Sequence, residues 1–306
     1  STMEYTYSLQ KLAAYQPRKS KKSKETFDTG LALLERGGFA GKGEEGWDAI
    51  EKLALAAIDQ ENIQVADRCL KLLLDKFPGS SRVDVLEGIR MEATESPELV
   101  IEYYDQLLEA DSSNPAIWRR KASVLRRAGK VERAVEELSA MLDTFYTEPD
   151  GWLELADIYA SCQQYTYALQ SLSHALLLSP QNPSYFLQYA ETAYLAEDVP
   201  LALKTFLHVV DMTDDDDGDL APSDSIPTGI TLRAWFGVKL CTRKLITEPR
   251  SASNSASKTA PPNTSNLSLL DDLSTERLRT AYLNVRNESP PTSETDFIAA
   301  VATLVQ

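Results

Sequence analysis

Residues 149–182 read PDGWLELADIYASCQQYTYALQSLSHALLLSPQN. Trp152, Leu155, Ala156 and Tyr159 are spaced i, i+3, i+4, i+7, one face of a helix. Ala168, Leu172 and Ala175 repeat the pattern on a second helix. Pro180 ends it, since proline cannot continue a helix cheaply. The arrangement recurs outward from this stretch. Ala66, Ala134, Ala168 and Ala202 lie on one 34-residue grid, with Val100 in the remaining slot. Four residues on, the slots hold Leu70, Tyr104, Leu138, Leu172 and Phe206, and twelve residues before they hold Ala54, Gly88, Ala122, Ala156 and Ala190. A fixed period of this size signals stacked helical units.

Five units therefore run without gaps, over residues 47–80, 81–114, 115–148, 149–182 and 183–216, together 47–216. Each reads as helix A, turn, helix B, turn. The slots match the tetratricopeptide repeat: a large aromatic, Leu-Gly or Leu-Ala, an aromatic, Ala, a large apolar residue and Pro. The expected fold is all-α, a tetratricopeptide-repeat right-handed solenoid with helical N- and C-terminal caps. Small residues are needed where helices A and B pass closely, and the large ones fill the space between units. The unit over 81–114 departs most, with Asp84 and Glu87 in slots that are usually apolar. Its punctuation is still helical: Ser96-Pro97-Glu98 offers an N-cap, an N1 proline and an early carboxylate. Gly129 suits a left-handed helix end, and Asp198 can cap a B helix.

Around the array lie less regular segments. Residues 1–46 carry short helical patterns (5–15 and 29–36), a basic run RKSKKSK over 18–24, and glycines at 37, 38, 41 and 43. Residues 217–229, following the Asp214–Asp217 run, form an acidic, proline-containing loop, and 230–248 resembles a further helix A. Residues 249–266, rich in Ser, Ala, Pro and Asn, read as a flexible linker. Residues 267–306 contain two capping helices, over 267–285 and 293–305, needed because a terminal repeat otherwise leaves an apolar face in water.

Composition narrows the function. The chain has 306 residues, is 43% hydrophobic, and carries a net charge of −15 with a pI near 4.7. That charge argues against nonspecific nucleic-acid binding. The three cysteines, Cys69, Cys162 and Cys241, are far apart and form no CxxC, so no disulfide framework is expected. His174 and His208 occupy equivalent slots without partner ligands, so no metal is expected. No apolar run approaches membrane-spanning length, and no secretory signal pattern opens the sequence. There is no P-loop, GxSxG, HExxH or Gly-rich dinucleotide turn. The expectation is a protein without catalytic residues or cofactor.

Partner binding would fall on the concave faces of the A helices. Repeat geometry assigns those faces Arg82, Arg119, Ser123, Arg126, Arg127, Leu153, Asp157, Leu187, Glu191 and Tyr194 as candidate groove residues. The resulting groove is basic in the middle and acidic towards both ends. Residues 118–133, WRRKASVLRRAGKVER, concentrate seven cations against Glu132; they read either as a solvated helix face or as a dock for an acidic segment. Lys121 occupies a usually apolar slot; it either pairs with Glu87 one unit earlier or reaches to solvent. A carboxylate clamp of the co-chaperone kind is disfavoured, because Glu154 would sit among its donors.

One stretch carries a narrower likeness. Residues 66–93, ADRCLKLLLDKFPGSSRVDVLEGIRMEA, resemble the subunit 2 family of the endoplasmic reticulum (ER) membrane protein complex. So do Tyr104-Asp105 with Leu108, Gly151-Trp152 with Glu154-Leu155-Ala156, and Gln188-Tyr189-Ala190-Glu191. The likeness runs from about Trp47 to Val209. It implies a non-catalytic scaffold on the cytosolic face of the ER membrane, supporting insertion of tail-anchored and multi-spanning proteins. Implied partners are the cytosolic segments of membrane subunits 3 and 5 and soluble subunit 8 or 9, so that membrane association is indirect. The alternative is a soluble adaptor holding a peptide segment in its groove within another cytosolic complex.

Overall fold

A computed structural model describes residues 20–37, 43–214 and 229–287. Side chains of residues 20–22 and 285–287 are not described. The helical patterns at 5–15 and 293–305, and most of the acidic loop, lie outside the described residues. Two compact units are present, one built from residues 16–145 and the other principally from residues 146–306.

In the first unit, α1 (Ser20–Glu35) precedes three helical hairpins: α2 (Gly43–Asp59) with α3 (Ile63–Lys76), α4 (Ser81–Thr94) with α5 (Pro97–Ala110), and α6 (Pro115–Arg127) with α7 (Val131–Thr144). In the second, α8 (Pro149–Ser161) pairs with α9 (Tyr165–Leu178) and α10 (Pro183–Leu195) with α11 (Val199–Thr213). Then come α12 (Gly229–Thr247), a 3₁₀ turn (Pro249–Asn254) and α13 (Thr264–Asn287). The B helices start at residues 63, 97, 131, 165 and 199, so the 34-residue grid is kept to the residue. Among the described residues no strand occurs, and the chain has the all-α tetratricopeptide-repeat fold.

The grid residues are buried because the helices touch there. Ala54, Ala66, Ala122, Ala134, Ala168, Ala190 and Ala202 have no exposed surface. A Cβ on Gly88 would come within 2.4 Å of the Tyr104 ring, so that slot excludes even alanine without a shift. Asn62, Asn114, Asn182 and Asp198 cap their helices through side-chain oxygens. Prolines open α5, α6, α8 and α10, where a missing N–H costs nothing. Gly129 takes φ +80° after α6. Ser96 precedes α5 as expected, but its hydroxyl makes no capping bond.

Two segments differ from their sequence reading. The helix expected over 29–36 begins at Ser20, taking in part of the basic run, and packs on α2 as an N-terminal cap. Phe27, Leu31 and Leu34 meet the core of the first hairpin. The supposed linker over 249–266 is held in place. Ser255 donates to Asp198 Oδ1 at 2.7 Å, and Ser257 donates to Oδ2 through its hydroxyl at 2.6 Å and its N–H at 3.1 Å. Small hydroxyls suggest mobility from composition, but here they satisfy a carboxylate that is itself 2% exposed.

α12 and α13 form a sixth hairpin that the strict grid conceals. Gly237 follows Ala190 by 47 residues instead of 34. Its Cβ would lie 2.3 Å from the Phe206 ring, the same demand for a small residue that Gly88 meets. Lys239 Nζ lies 2.8 Å from Asp271 Oδ1, which also accepts from Thr242 at 3.1 Å. This pair ties α12 to α13 inside a core of Leu203, Phe206, Trp235, Phe236, Leu240 and Leu278.

Candidate partner-binding groove

Successive A helices of the first unit lie side by side, and their concave faces enclose an open groove of about 1190 Å³. α2 contributes Leu55 and Ile58, α4 contributes Ile89 and Glu92, and α6 contributes Arg120 and Arg127. Ser23 and Thr26 of α1 complete one wall. Leu55 is 39% exposed, so apolar surface is presented to whatever enters.

Glu92 organises the polar side of this groove. Its side chain is only 4% exposed. Oε2 accepts from Tyr104 Oη at 2.6 Å and from Arg120 Nε at 2.9 Å and Nη2 at 2.7 Å. Oε1 accepts from Arg127. Burial and the neighbouring carboxylate push the Tyr104 phenol well above its ordinary pKa. Burial opposes the charge of Arg120, but Glu92 more than offsets this and raises its pKa. Tyr104 is fully buried beneath Gly88, so the repeat core fixes the carboxylate and the carboxylate fixes the two guanidinium groups.

The arginines are therefore not a bare basic patch. Arg82 reaches back one unit to Glu51, at 2.7 Å, and Asp48, at 3.5 Å. Its side chain is 68% exposed, so this pair contributes about 1 kcal/mol or less. Arg90 bonds Asp67 at 2.8 Å and Thr94 at 2.6 Å, and the Asp67 bond holds its pKa high. Lys121 neither pairs with Glu87 nor reaches solvent. It is buried between Asp105 and Glu137, each at 2.6 Å. Burial works against its charge, and the two carboxylates restore and raise its pKa. Burial raises the Glu87 carboxyl, Arg90 opposes it, and the charges of Asp67 and Asp84 add to the rise.

Of the candidates in this unit, Arg127 lines the groove, and Arg119, Ser123 and Arg126 are half-buried on the same helix. Arg120 is missing from the sequence-derived set, although it makes two hydrogen bonds to Glu92 and is the less exposed of its two arginine partners. The available signal was an arginine one unit after a glutamate on adjoining A helices.

In the second unit the candidates divide. Leu153 is half-buried and Asp157 exposed on α8. Leu187, Glu191 and Tyr194 are 3–5% exposed and cannot receive a partner, contrary to expectation. The cause is α12, which packs against α10. Arg233 donates to both oxygens of Glu191, at 2.6 and 2.9 Å, and Lys244 sits 5.6 Å from the centre of the Tyr194 ring. Burial raises the Glu191 carboxyl, with Arg233 pulling it back. These three residues carry the sixth hairpin.

No cluster of metal-ligating residues occurs among the described residues. His174 stacks on Trp152 with ring centres 4.0 Å apart, and His208 meets Phe186 edge-on at 4.9 Å. Both histidines thus serve packing between A and B helices. None of the described helices is long and apolar enough to cross a membrane.

Comparison with known proteins fits this geometry. Residues 63–206 match the family described as the EMC2 TPR-like repeat domain. ER membrane protein complex subunit 2-B of Xenopus laevis is 28% identical over 246 residues, covering 79% of this chain and 77% of that one. TPR repeat protein oca3 of Schizosaccharomyces pombe is 28% identical over 208 residues, covering 66% and 68%. Among solved structures, the C-terminal part of a TPR repeat-containing protein from Cytophaga hutchinsonii aligns at TM-score 0.49 and 13% identity, covering 88% of this chain and 98% of that one.

Proposed function

Taking as premise that this chain is a tetratricopeptide-repeat protein resembling subunit 2 of the ER membrane protein complex, we propose that it is a non-catalytic scaffold subunit of that complex. It works on the cytosolic face of the ER membrane and supports insertion of tail-anchored and multi-spanning proteins. It does so by holding other subunits in place, and the insertion chemistry belongs to them. Its partners are the cytosolic segments of membrane subunits 3 and 5, with soluble subunit 8 or 9 docked beside it.

The observation that supports this reading best is the groove over α2, α4 and α6. Leu55, Ile58 and Ile89 offer apolar contact, while Arg127 remains 58% exposed with one side committed to Glu92. Such a surface suits an extended or helical segment with both apolar and acidic side chains. Arg127 can exchange or share its carboxylate with that segment. Arg120, more deeply held, keeps Glu92 neutralised meanwhile.

The test is fractionation of cells followed by native electrophoresis. The chain is expected in a large membrane-associated assembly whose membrane subunits decline when it is removed. Recovery as a cytosolic monomer, with those subunits at normal abundance, would overturn the proposal.

A further inference from the structure

The charges lining the first unit's groove are sorted by side. On the α2 side, Asp59 ends the helix and Glu61, exposed, follows it in the turn to α3. Lys52 stands about 10 Å back along α2 and offsets one of these two carboxylates. On the α6 side, Arg127 ends its helix and Arg120 lies two turns earlier. Glu92 of α4 offsets one of these two guanidinium charges. Each side therefore keeps one net charge, negative at α2 and positive at α6, with Leu55, Ile58 and Ile89 between them. Neighbouring helices pack roughly 8–10 Å apart, so α2 and α6, with α4 between, are separated by about 16–20 Å. At about 3.3 Å per residue an extended chain crosses this span in about six residues. A helix, rising about 1.5 Å per residue, needs about eleven.

We propose, resting on the reading of this groove as the partner site, that it takes an extended segment of a partner protein with a fixed order of charge. A basic side chain meets Asp59 and Glu61, an acidic one about six positions away meets Arg127, and apolar side chains between them cover Leu55, Ile58 and Ile89. Alternate side chains of an extended chain share one face, so all of these point into the groove together. The main chain of such a segment has unpaired N–H and C=O groups, and the wall offers them hydroxyls. Ser23 lines the groove, and Thr94, whose oxygen accepts from Arg90, keeps its own proton to donate. A helix satisfies its own backbone and uses neither. The sorted charges select against wrong occupants: a wholly acidic segment is repelled at Glu61, and a wholly basic one at Arg127.

The test measures fluorescence anisotropy of labelled synthetic peptides with the full chain at low salt. The probe is Lys-Ala-Leu-Ala-Leu-Ala-Glu, and its controls carry Lys at both ends or Glu at both ends. The mixed-charge peptide is expected to bind about three- to tenfold more tightly than either control, since each exposed pair contributes modestly. Glu61→Lys should move the preference to the peptide with Glu at both ends, and Arg127→Glu to the one with Lys at both ends. Circular dichroism checks both variants. Glu61 is exposed in a turn, so Glu61→Lys decides the matter if Arg127→Glu disturbs Glu92 and fails to fold. Equal binding of the three peptides, no binding, or no exchange of preference in Glu61→Lys would overturn the proposal. Tighter binding of a helix-forming peptide with Lys and Glu eleven positions apart would overturn it too. Recovery of the chain as a cytosolic monomer, with the peptide order as expected, would remove the scaffold reading and leave the charge order standing. Membrane assembly without any peptide order would do the reverse.

Discussion

Replacing Gly88 with alanine should destabilise the first unit and disturb the groove together. Gly88 lies within α4, where alanine is ordinarily better than glycine by about 0.5–1 kcal/mol. Against this, the new Cβ would stand 2.4 Å from a Tyr104 ring carbon and 2.6 Å from its hydroxyl oxygen, where ordinary contact begins at 3.4 Å. The ring must retreat by about 1 Å in a close-packed interior. It has no exposed surface to retreat into, and its hydroxyl is fixed to Glu92 at 2.6 Å. Overpacking of this kind costs about 1–3 kcal/mol, and a strained or lost bond to a charged acceptor costs about 1.5–3 kcal/mol. One movement of the ring produces both, so they are not added. After the helix gain is set against them, a net loss of about 1–3 kcal/mol is expected. Urea unfolding followed by circular dichroism measures it. Gly88→Ala should shift the midpoint down, and the shift should shrink in a Tyr104→Leu background, because a smaller side chain leaves room for the methyl. A variant as stable as the parent, or a double-mutant cycle without coupling, would refute the reasoning.

The remaining expectations concern the second unit and the thiols. Asp198→Ala removes an N-cap and the anchor of residues 255–257 at once. A loss of about 1–2 kcal/mol from the cap alone is expected, with new protease cleavage within residues 249–263 and none in α10. Glu191→Ala strands Arg233 beside α10 and should cost about 2–4 kcal/mol, discounted from the fully buried case because Arg233 is 32% exposed; thermal unfolding reads it. Glu191→Gln should cost less and should weaken the pH dependence. The folded carboxyl pKa is raised by burial, so the folded state binds the proton more readily than the unfolded one. This group's contribution to stability therefore grows as pH falls through the folded pKa towards the ordinary carboxylate value. Burial pushes the Cys69 thiol up to about 11 and Cys241 higher still, while Cys162 is exposed. A thiol reagent at pH 8 should modify Cys162 in the folded chain and all three cysteines only after unfolding.

The repeats were legible because their cause is local and periodic. Two helices can cross closely only where both side chains are small, so Ala54 and Ala66, or Ala156 and Ala168, register in the sequence at fixed spacing. The sixth hairpin was less legible because an insertion displaces Gly237 from the grid. That displacement explains the error at Leu187, Glu191 and Tyr194. They hold groove slots by repeat geometry, yet α12 occupies the space in front of them. Electrostatic partners were the least legible. Lys121 lies among several carboxylates in sequence, and only packing selects Asp105 and Glu137 over Glu87. Residues 249–266 misled for a related reason, since composition records hydroxyls but not the buried Asp198 that receives them.

Photo-crosslinking from inside the groove tests the scaffold account most directly. A photoreactive amino acid at position 89 of the full chain, expressed in cells with intact ER membranes, samples the space between Leu55 and Arg127. The account predicts an adduct with a cytosolic segment of a membrane-embedded ER membrane protein complex subunit, lost when Arg127→Glu and Leu55→Asp are combined. An adduct with an unrelated cytosolic protein would contradict it. So would no adduct at position 89 when the same probe on the outer face of α7 captures the complex.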